Sequence, residues 1–490
     1  MSSEKDDVGA RLRSAIHWTA ALLTTFVLIL HLGLIGLGQW QADEYVDFAA
    51  LRLKGWRFFY ERMLWSPRPV SELLLFIYGW MVNHFHRPLI APFLAVLWAG
   101  FLAAGLATFV QTRGERSRDE NSLALIVTLT LMALFLAGGG LTEVFYWPVG
   151  AAAYLPTLAA TLLFFWQVVY GRLASEQGRA LCFIALVVAA LSSELGAMFA
   201  ACFALVQVLS SGIHRWRKHS NPQDSAGLAW WAVPGLLSWA VLFIVWMNRF
   251  HQPEPGFTVA AATVGQPLLS SAVALRELGA EMLGRFPEQP QTRIAPTLIS
   301  ELLFCLGGGL CWSFARFLKF DRVAAWRMIA AFLLASWLSL TSSYLHFGTA
   351  GGQRHELLRH CWILMSFGGT GALLASPLSR WRPQARWKHQ VLAPLALVLA
   401  VASVWHVREI LREYRAYPSI ARTIHENFRS GFDATTDQMV YAVAAHRGVM
   451  AFAQVEPGFY SRNPANASYP QYILRFFDKR TLIVRKQFEP

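Results

Sequence analysis

Apolar residues in this chain fall in long runs separated by short polar loops, the pattern of a bundle that crosses a bilayer repeatedly. The runs lie at about 18–38, 89–110, 122–141, 149–170, 180–193, 196–212, 228–250, 298–317, 327–345, 360–378 and 390–406. A hydrocarbon core about 30 Å thick takes roughly 20 helical residues to cross, so the pattern predicts about eleven transmembrane helices. The pair 180–193 and 196–212 is short for a hairpin, and a re-entrant element is the alternative there. Residues 70–85 are apolar but brief, and read as a helix lying in the outer leaflet. Residues 44–62 set Arg52, Lys54, Arg57 and Arg62 among Trp56, Phe58, Phe59 and Tyr60, which predicts a second interfacial helix. Beyond residue 406 the pattern becomes mixed. Strand-like runs at Val449–Val455 and Thr481–Val484 predict a small external α+β segment. The expected architecture is an all-α polytopic membrane protein with juxtamembrane helices. Its parts are an N-terminal stretch 1–17, a membrane domain 18–406 and a C-terminal segment 407–490.

Composition supports this class. Of 490 residues, 55% are hydrophobic and only 15% charged, against about 25% charged in soluble domains. The net charge of +13 could suit a nucleic-acid partner, but the basic residues are spread over the loops. They cluster at Arg11 and Arg13, Arg113 to Arg118, Arg172 and Arg179, Arg215 to Lys218, Arg316 to Arg327, and Arg380 to Lys388. The positive-inside bias assigns these loops and the N-terminus to the cytoplasm, and residues 407–490 to the exterior. Counting 70–85 as a span would invert that topology. The first apolar run exceeds the 7–15 residues of a signal h-region, so it is expected to be a true span. Five cysteines (182, 202, 305, 311 and 361) all lie in apolar runs and read as small core residues. Asn466-Ala467-Ser468 has the form of a glycosylation sequon.

Candidate chemistry gathers in the external loops. Asp43, Glu44 and Asp47 follow the first run, and Glu143 precedes Tyr146-Trp147-Pro148. Glu194 interrupts an apolar hairpin, and Arg354, His355, Glu356, Arg359 and His360 precede or begin the tenth run. Ionisable groups at membrane depth are costly and mark functional sites by default. Each has a structural alternative. Asp43 and Glu44 could be first-turn carboxylates of a helix, Glu194 could pair with an arginine for packing, and Arg354 and Arg359 could mark a membrane edge. The histidines show no metal-ligand spacing. Taken together, a carboxylate could accept the proton of an acceptor hydroxyl, and arginines could hold a phosphate. A membrane groove would suit a lipid tail. Sugar transfer from a lipid phosphate needs all three.

At these residues the chain resembles the GT-C superfamily of integral-membrane glycosyltransferases, within it the bacterial GtrII-like and related groups. The likeness rests on Asp43-Glu44, on Trp65-Ser66-Pro67-Arg68, on Glu143-x-x-Tyr146-Trp147-Pro148-x-Gly150-x-x-x-Tyr154-Leu155-Pro156, and on Ser193-Glu194. It covers roughly residues 15–200. Pro67 stands where the family has glycine before the arginine. The resemblance implies an inverting transferase of a bacterial inner membrane. Its donor would be a polyprenyl-phosphate sugar and its acceptor a hydroxyl of a cell-envelope glycan or glycolipid. Asp43 would be the base and Glu44 its neighbour or a cation contact. Glu143, Tyr146 and Glu194 would support the site, and Arg68, Arg354 and Arg359 are candidates for the donor phosphate, the last two by location. Some members need a divalent cation and others do not. Two other readings remain: a glycan polymerase or ligase using a lipid diphosphate, for which loop 251–297 with Arg276, Glu277, Glu281, Arg285 and Arg293 is large enough, and a transporter of lipid-linked saccharides. Against the transporter, no internal repeat links the two halves.

Overall fold

The first apolar run forms helix α1 (Ser2–Gly33) and ends in a 3-10 turn at Leu34–Leu37. Three short helices follow it: α2 (Ala42–Lys54), α3 (Trp56–Trp65) and α4 (Pro69–Phe85). In this computed structural model the described residues are 2–115, 118–137, 140–218, 229–251, 263, 265–285, 294–314, 321–376, 385–444, 450–451 and 469–486. The segment expected as one interfacial helix over 44–62 is two, because Gly55 between α2 and α3 has a positive φ of 55°. That backbone favours glycine and breaks the helix. The outer-leaflet helix expected at 70–85 corresponds to α4, whose 17 residues begin with Pro69 at its first turn, where a missing N–H costs nothing.

The bundle continues with α5 (Ile90–Thr112), α6 (Arg118–Leu136), α7 (Pro148–Val169), α8 (Glu176–Ser192), α9 (Glu194–Lys218) and α10 (Ala229–His251). It is completed by α11 (Pro267–Glu281), α12 (Ile294–Phe314), α13 (Arg322–Phe347), α14 (Gln353–Ala375), α15 (Ala385–Ser403) and α16 (Val407–Phe432). Each of the eleven apolar runs is helical over most of its described residues. Among the described residues, however, seven helices are long and apolar enough to cross a membrane, not eleven. The seven are Ser14–Leu37, Ile90–Thr112, Pro148–Val169, Glu194–Ser211, Trp230–Asn248, Arg322–Phe347 and Ala393–Phe432. The apolar stretches of α6 and α12 are only Glu120–Leu136 and Leu298–Leu310, and α8 has 17 residues. Helix α14 carries Arg354, Glu356 and Arg359 in its first two turns. The chain is thus a multi-pass, all-α membrane protein with fewer full-length spans than its hydropathy pattern suggested. Arg116, Arg316, Lys319, Arg380, Arg382, Arg293 and the 466–468 sequon lie outside the described residues.

Close packing in the bundle uses small residues, as helices in lipid tend to do. Helix α12 lies against α14 with Gly308 facing the Gly368 carbonyl and Gly371 facing that of Cys305, so that a side chain at either glycine would collide with backbone. Helix α11 is fastened to α14 by an ion pair with both side chains fully buried. Arg359 Nη2 meets Glu281 Oε1 at 2.6 Å, and its Nε reaches both carboxylate oxygens at 3.0 Å. Removing one partner leaves an uncompensated buried charge. Arg359→Leu is therefore expected to destabilise the protein by about 3–5 kcal/mol, and Arg359→Leu with Glu281→Leu by much less. Thermal unfolding in detergent of both variants checks this.

The C-terminal segment is α+β, as expected, but its strands pair differently. Strand β1 (Gln438–Val443) runs parallel to β2 (Thr481–Lys486), from Gln438↔Thr481 to Val443↔Lys486. The run expected at 449–455 is not the partner: residues 450–451 form a bend, and the rest of that run lies outside the described residues. Helix α16 holds β1 through Asn427, whose side-chain amide donates to the Ala442 carbonyl at 2.9 Å. Helix α17 (Tyr469–Phe477) packs on α2, with Phe476 against Tyr45 (5.8 Å between ring centres) and Trp40 (5.2 Å). The segment thereby backs the loop helix that carries Asp43.

Candidate active site

The site forms where α1 leaves the bundle and the start of α2 meets the starts of α7 and α14. Chain exit and second loop are joined directly, since the Gln39 N–H donates to the Tyr146 carbonyl at 3.3 Å. Helix α2 then divides its two adjacent carboxylates. Glu44 is fully buried and accepts from the Gln41 N–H at 2.8 Å and the Val149 N–H at 3.3 Å. It caps its own helix and ties it to the first turn of α7, a carboxylate serving N–H groups that a helix start leaves without partners. Asp43 is exposed. The helix-cap alternative therefore describes Glu44, and Asp43 is the carboxylate turned to the open side.

Burial pushes the Glu44 carboxyl up to about 8. The folded state then holds the proton more tightly than the unfolded chain, whose value is near 4.5. Stability contributed by the neutral form is complete below that lower value and declines as the pH rises towards the upper one. Glu44→Gln, neutral at every pH, is expected to flatten the fall in melting temperature between about pH 5 and pH 8. Melting curves of wild type and variant across that range check it.

The second loop contributes through a π-helical turn at Thr142–Tyr146, a geometry often found at functional sites. It points neighbouring side chains in opposite directions. Tyr146 is buried, its hydroxyl 3.1 Å from His31 Nδ1, so it packs the interior and does not join the site. Glu143 stays partly exposed, and its Oε2 accepts from the Arg354 backbone N–H at 3.3 Å. This contact fixes the first turn of α14 beside the loop.

Arg354 is the centre of the arrangement. Its guanidinium lies over Trp147 at 5.4 Å and Tyr154 at 5.9 Å, within the range of cation–π attraction. The Tyr154 hydroxyl is in turn 3.1 Å from His355 Nε2. Among the described residues no carboxylate forms an ion pair with Arg354, and its buried Nε has no hydrogen-bond acceptor. Burial opposes its charge, but Tyr154, Glu143, Asp43 and Glu194 outweigh that and hold it firmly protonated. It is a guanidinium surrounded by longer-range negative charge, with donors still unused.

The other two predicted arginines are committed. Arg68 meets Glu72 at 2.9 Å and Glu194 at 3.6 Å. Glu72 also binds Arg62 at 2.5 Å, and Arg62 reaches Asp47 at 3.0 Å. Ser66 donates to Glu194 at 2.8 Å. These groups brace α2, α3 and α4 against the start of α9, where Ser193 accepts from the Gly196 N–H at 3.0 Å and Glu194 occupies the first turn. Arg68, directly after Pro67, is thus held in this brace. Arg359 is locked to Glu281 inside the bundle and is not brought to the cluster.

Of the predicted residues, the structure thus gathers Asp43, Glu44, Glu143, Glu194, Arg68 and Arg354, and separates Tyr146 and Arg359 from them. Trp147, Tyr154 and Ser66 were missed as site residues. Trp147 and Tyr154 are seven positions apart, two helical turns, and that spacing was the available signal for one shared face. Among the described residues no group of three His, Cys, Asp or Glu side chains is arranged to hold a metal ion. Comparison with protein-family models finds no match, and comparison with curated proteins finds no relative.

Proposed function

We propose that the protein is a membrane glycosyltransferase that moves a sugar from a polyprenyl-phosphate donor to a hydroxyl of a cell-envelope glycan or glycolipid, with inversion. The site would open to the outer face of a bacterial inner membrane, with the N-terminus cytoplasmic and the C-terminal segment external. The observation that carries this reading is Arg354, a charged guanidinium stacked on Trp147 and Tyr154, free of any ion pair with described residues, and within electrostatic reach of the exposed Asp43.

In this reading the acceptor oxygen attacks the anomeric carbon as Asp43 takes the hydroxyl proton. The bond from that carbon to the phosphate oxygen breaks, and the polyprenyl phosphate leaves with the electron pair. Arg354 neutralises the charge that grows on the leaving oxygens, where a preoriented donor in a dry site is most effective. Glu143 keeps Arg354 in place by holding its backbone, and Glu44 keeps Asp43 in place by capping α2. Trp147 and Tyr154, both buried, hold the Arg354 guanidinium in position for the phosphate. In the loop invoked for a polymerase or ligase, residues Pro267–Glu281 form α11, and its Glu281 is committed to Arg359.

The test is reconstitution of the full chain in vesicles with radiolabelled polyprenyl-phosphate sugars and membrane glycolipid acceptors. Label moving to the acceptor and depending on Arg354 and Asp43 is the expected result. Transfer that survives both Arg354→Gln and Asp43→Asn overturns the assignment of these residues.

A further inference from the structure

Helix α16 turns a line of arginines away from the rest of the molecule. Arg408, Arg412, Arg415, Arg422 and Arg429 are all exposed, and their steps of four, three, seven and seven set them along one side of the helix. The opposite side, with Ile410, Glu413, Ala416, Ile420, Thr423 and Asn427, is buried. The line extends over about 32 Å at 1.5 Å per residue. None of the five makes a hydrogen bond or ion pair with a described residue. Glu426 is exposed on the same side between Arg422 and Arg429, and Asp433 lies within electrostatic reach of Arg429.

Three observations say what faces this line. First, it follows directly on the lipid-directed side of α15, where Val398 and Val401 are exposed and Trp405 stands exposed at the junction. An aromatic between an apolar and a basic stretch is the mark of the bilayer interface. Second, α16 crosses the end of α1 obliquely. His406 Nε2 meets His31 at 3.0 Å, the Tyr414 hydroxyl donates to the Leu30 carbonyl at 2.7 Å, and Tyr417 lies against Gly36. About 16 Å of α16, from residue 406 to 417, thus meets only residues 30 to 36, the last turn of α1 and the 3-10 turn after it. Helix α16 therefore leans across the exit of α1 and stays near the level at which it leaves the bilayer. Third, Leu411 is exposed beside Arg408 and Arg412, an apolar side chain that water alone would not favour.

We propose that this face of α16 binds the phosphate groups of anionic phospholipids in the leaflet at the exit of α1. Guanidinium groups bind phosphate in pairs of hydrogen bonds, and a basic amphipathic helix at an interface gains from anionic lipid in proportion to its charge. The contact seats α16, and through α16 the segment that backs α2, on the membrane surface. It is independent of the transfer reaction.

The test uses the delipidated full chain in detergent, titrated with dioleoylphosphatidylglycerol or dioleoylphosphatidylcholine, with bound lipid counted by native mass spectrometry. Wild type is compared with two triple variants at Arg412, Arg415 and Arg422, one carrying glutamine and one lysine. Wild type is expected to take phosphatidylglycerol in clear preference. The glutamine triple should lose about tenfold or more of that affinity with phosphatidylcholine binding unchanged, and the lysine triple should keep most of it. Because none of the three arginines pairs with a described residue, the melting temperature of the glutamine triple in phosphatidylcholine should match wild type. Equal phosphatidylglycerol binding by wild type and the glutamine triple overturns the proposal. So does displacement of the lipid from wild type by inorganic polyphosphate at equal phosphate, which would assign the face to a soluble polyanion.

Discussion

Arg354→Gln is expected to lower sugar transfer by about 100- to 1,000-fold, the usual cost of removing a preoriented donor from a developing anion. The reason is its lack of competing ion-pair partners among the described residues. A guanidinium already bound to a carboxylate must break that contact before it can serve a phosphate, whereas Arg354 has unused donors and two aromatic rings to fix its plane. Arg354→Lys keeps the charge but loses the planar fork and the stacking, so only part of the rate should return. Arg68 and Arg359 carry the same charge and should behave differently. Both are bound by carboxylates, so Arg359→Leu should lower the melting temperature, and any loss of transfer should follow the loss of folded protein. Initial rates per folded molecule, measured with saturating acceptor and varied donor, separate the two classes.

The second large effect belongs to Asp43. Asp43→Asn should reduce transfer by about 100- to 10,000-fold, the range for loss of a general base, with little change in melting temperature because the side chain is exposed. Its neighbour should show the opposite pattern. Glu44 is fully buried and holds two backbone N–H groups, so Glu44→Gln should alter the pH dependence of stability and leave most of the activity. Two carboxylates adjacent in sequence are thus expected to separate into one kinetic and one structural phenotype. Pre-steady-state transfer rates alongside melting curves for the two variants check this directly.

How much of this was legible in the chain depends on the kind of signal. Hydropathy located most helices of the bundle, because a lipid-facing or core-facing helix must be apolar over most of its length. It missed α11 and α16, whose less apolar sequences read as loop and external segment. It overcounted the full-length spans, since an apolar run shows neither where a helix stops nor what polar turns begin it. Helix α14 illustrates this: its first two turns carry Arg354, Glu356 and Arg359, so the apolar part is shorter than the helix. The break at Gly55 depends on a single positive φ, invisible to periodicity. The parallel pairing of β1 with β2 joins segments some forty residues apart and cannot be read from either alone.

Candidate site residues were legible as a group and illegible as individuals. Acidic and basic residues at the ends of apolar runs stand out, and six of the eight named do meet. Their division of labour was hidden because it depends on partners far along the chain. Glu281 neutralises Arg359 from 78 positions away, and Glu194 engages Ser66 and Arg68 across more than 120. Glu44 and Asp43 differ only in which side of α2 they occupy, and Tyr146 turns inward because the π-helical turn sends it towards His31. Arg354 emerges as the open guanidinium by subtraction, once the partners of the other two are known.

The most direct test of the transfer reading follows the donor bond itself. Purified wild type in vesicles would be given a donor labelled in both the sugar and the phosphate, and the two labels tracked by thin-layer chromatography with the anomeric configuration of the product read by NMR. The account predicts that the sugar label passes to the acceptor with inversion while the phosphate label remains on the polyprenyl lipid. Intact donor crossing the bilayer with both labels still joined, and no glycosylated product from any donor, would contradict it and identify a transporter.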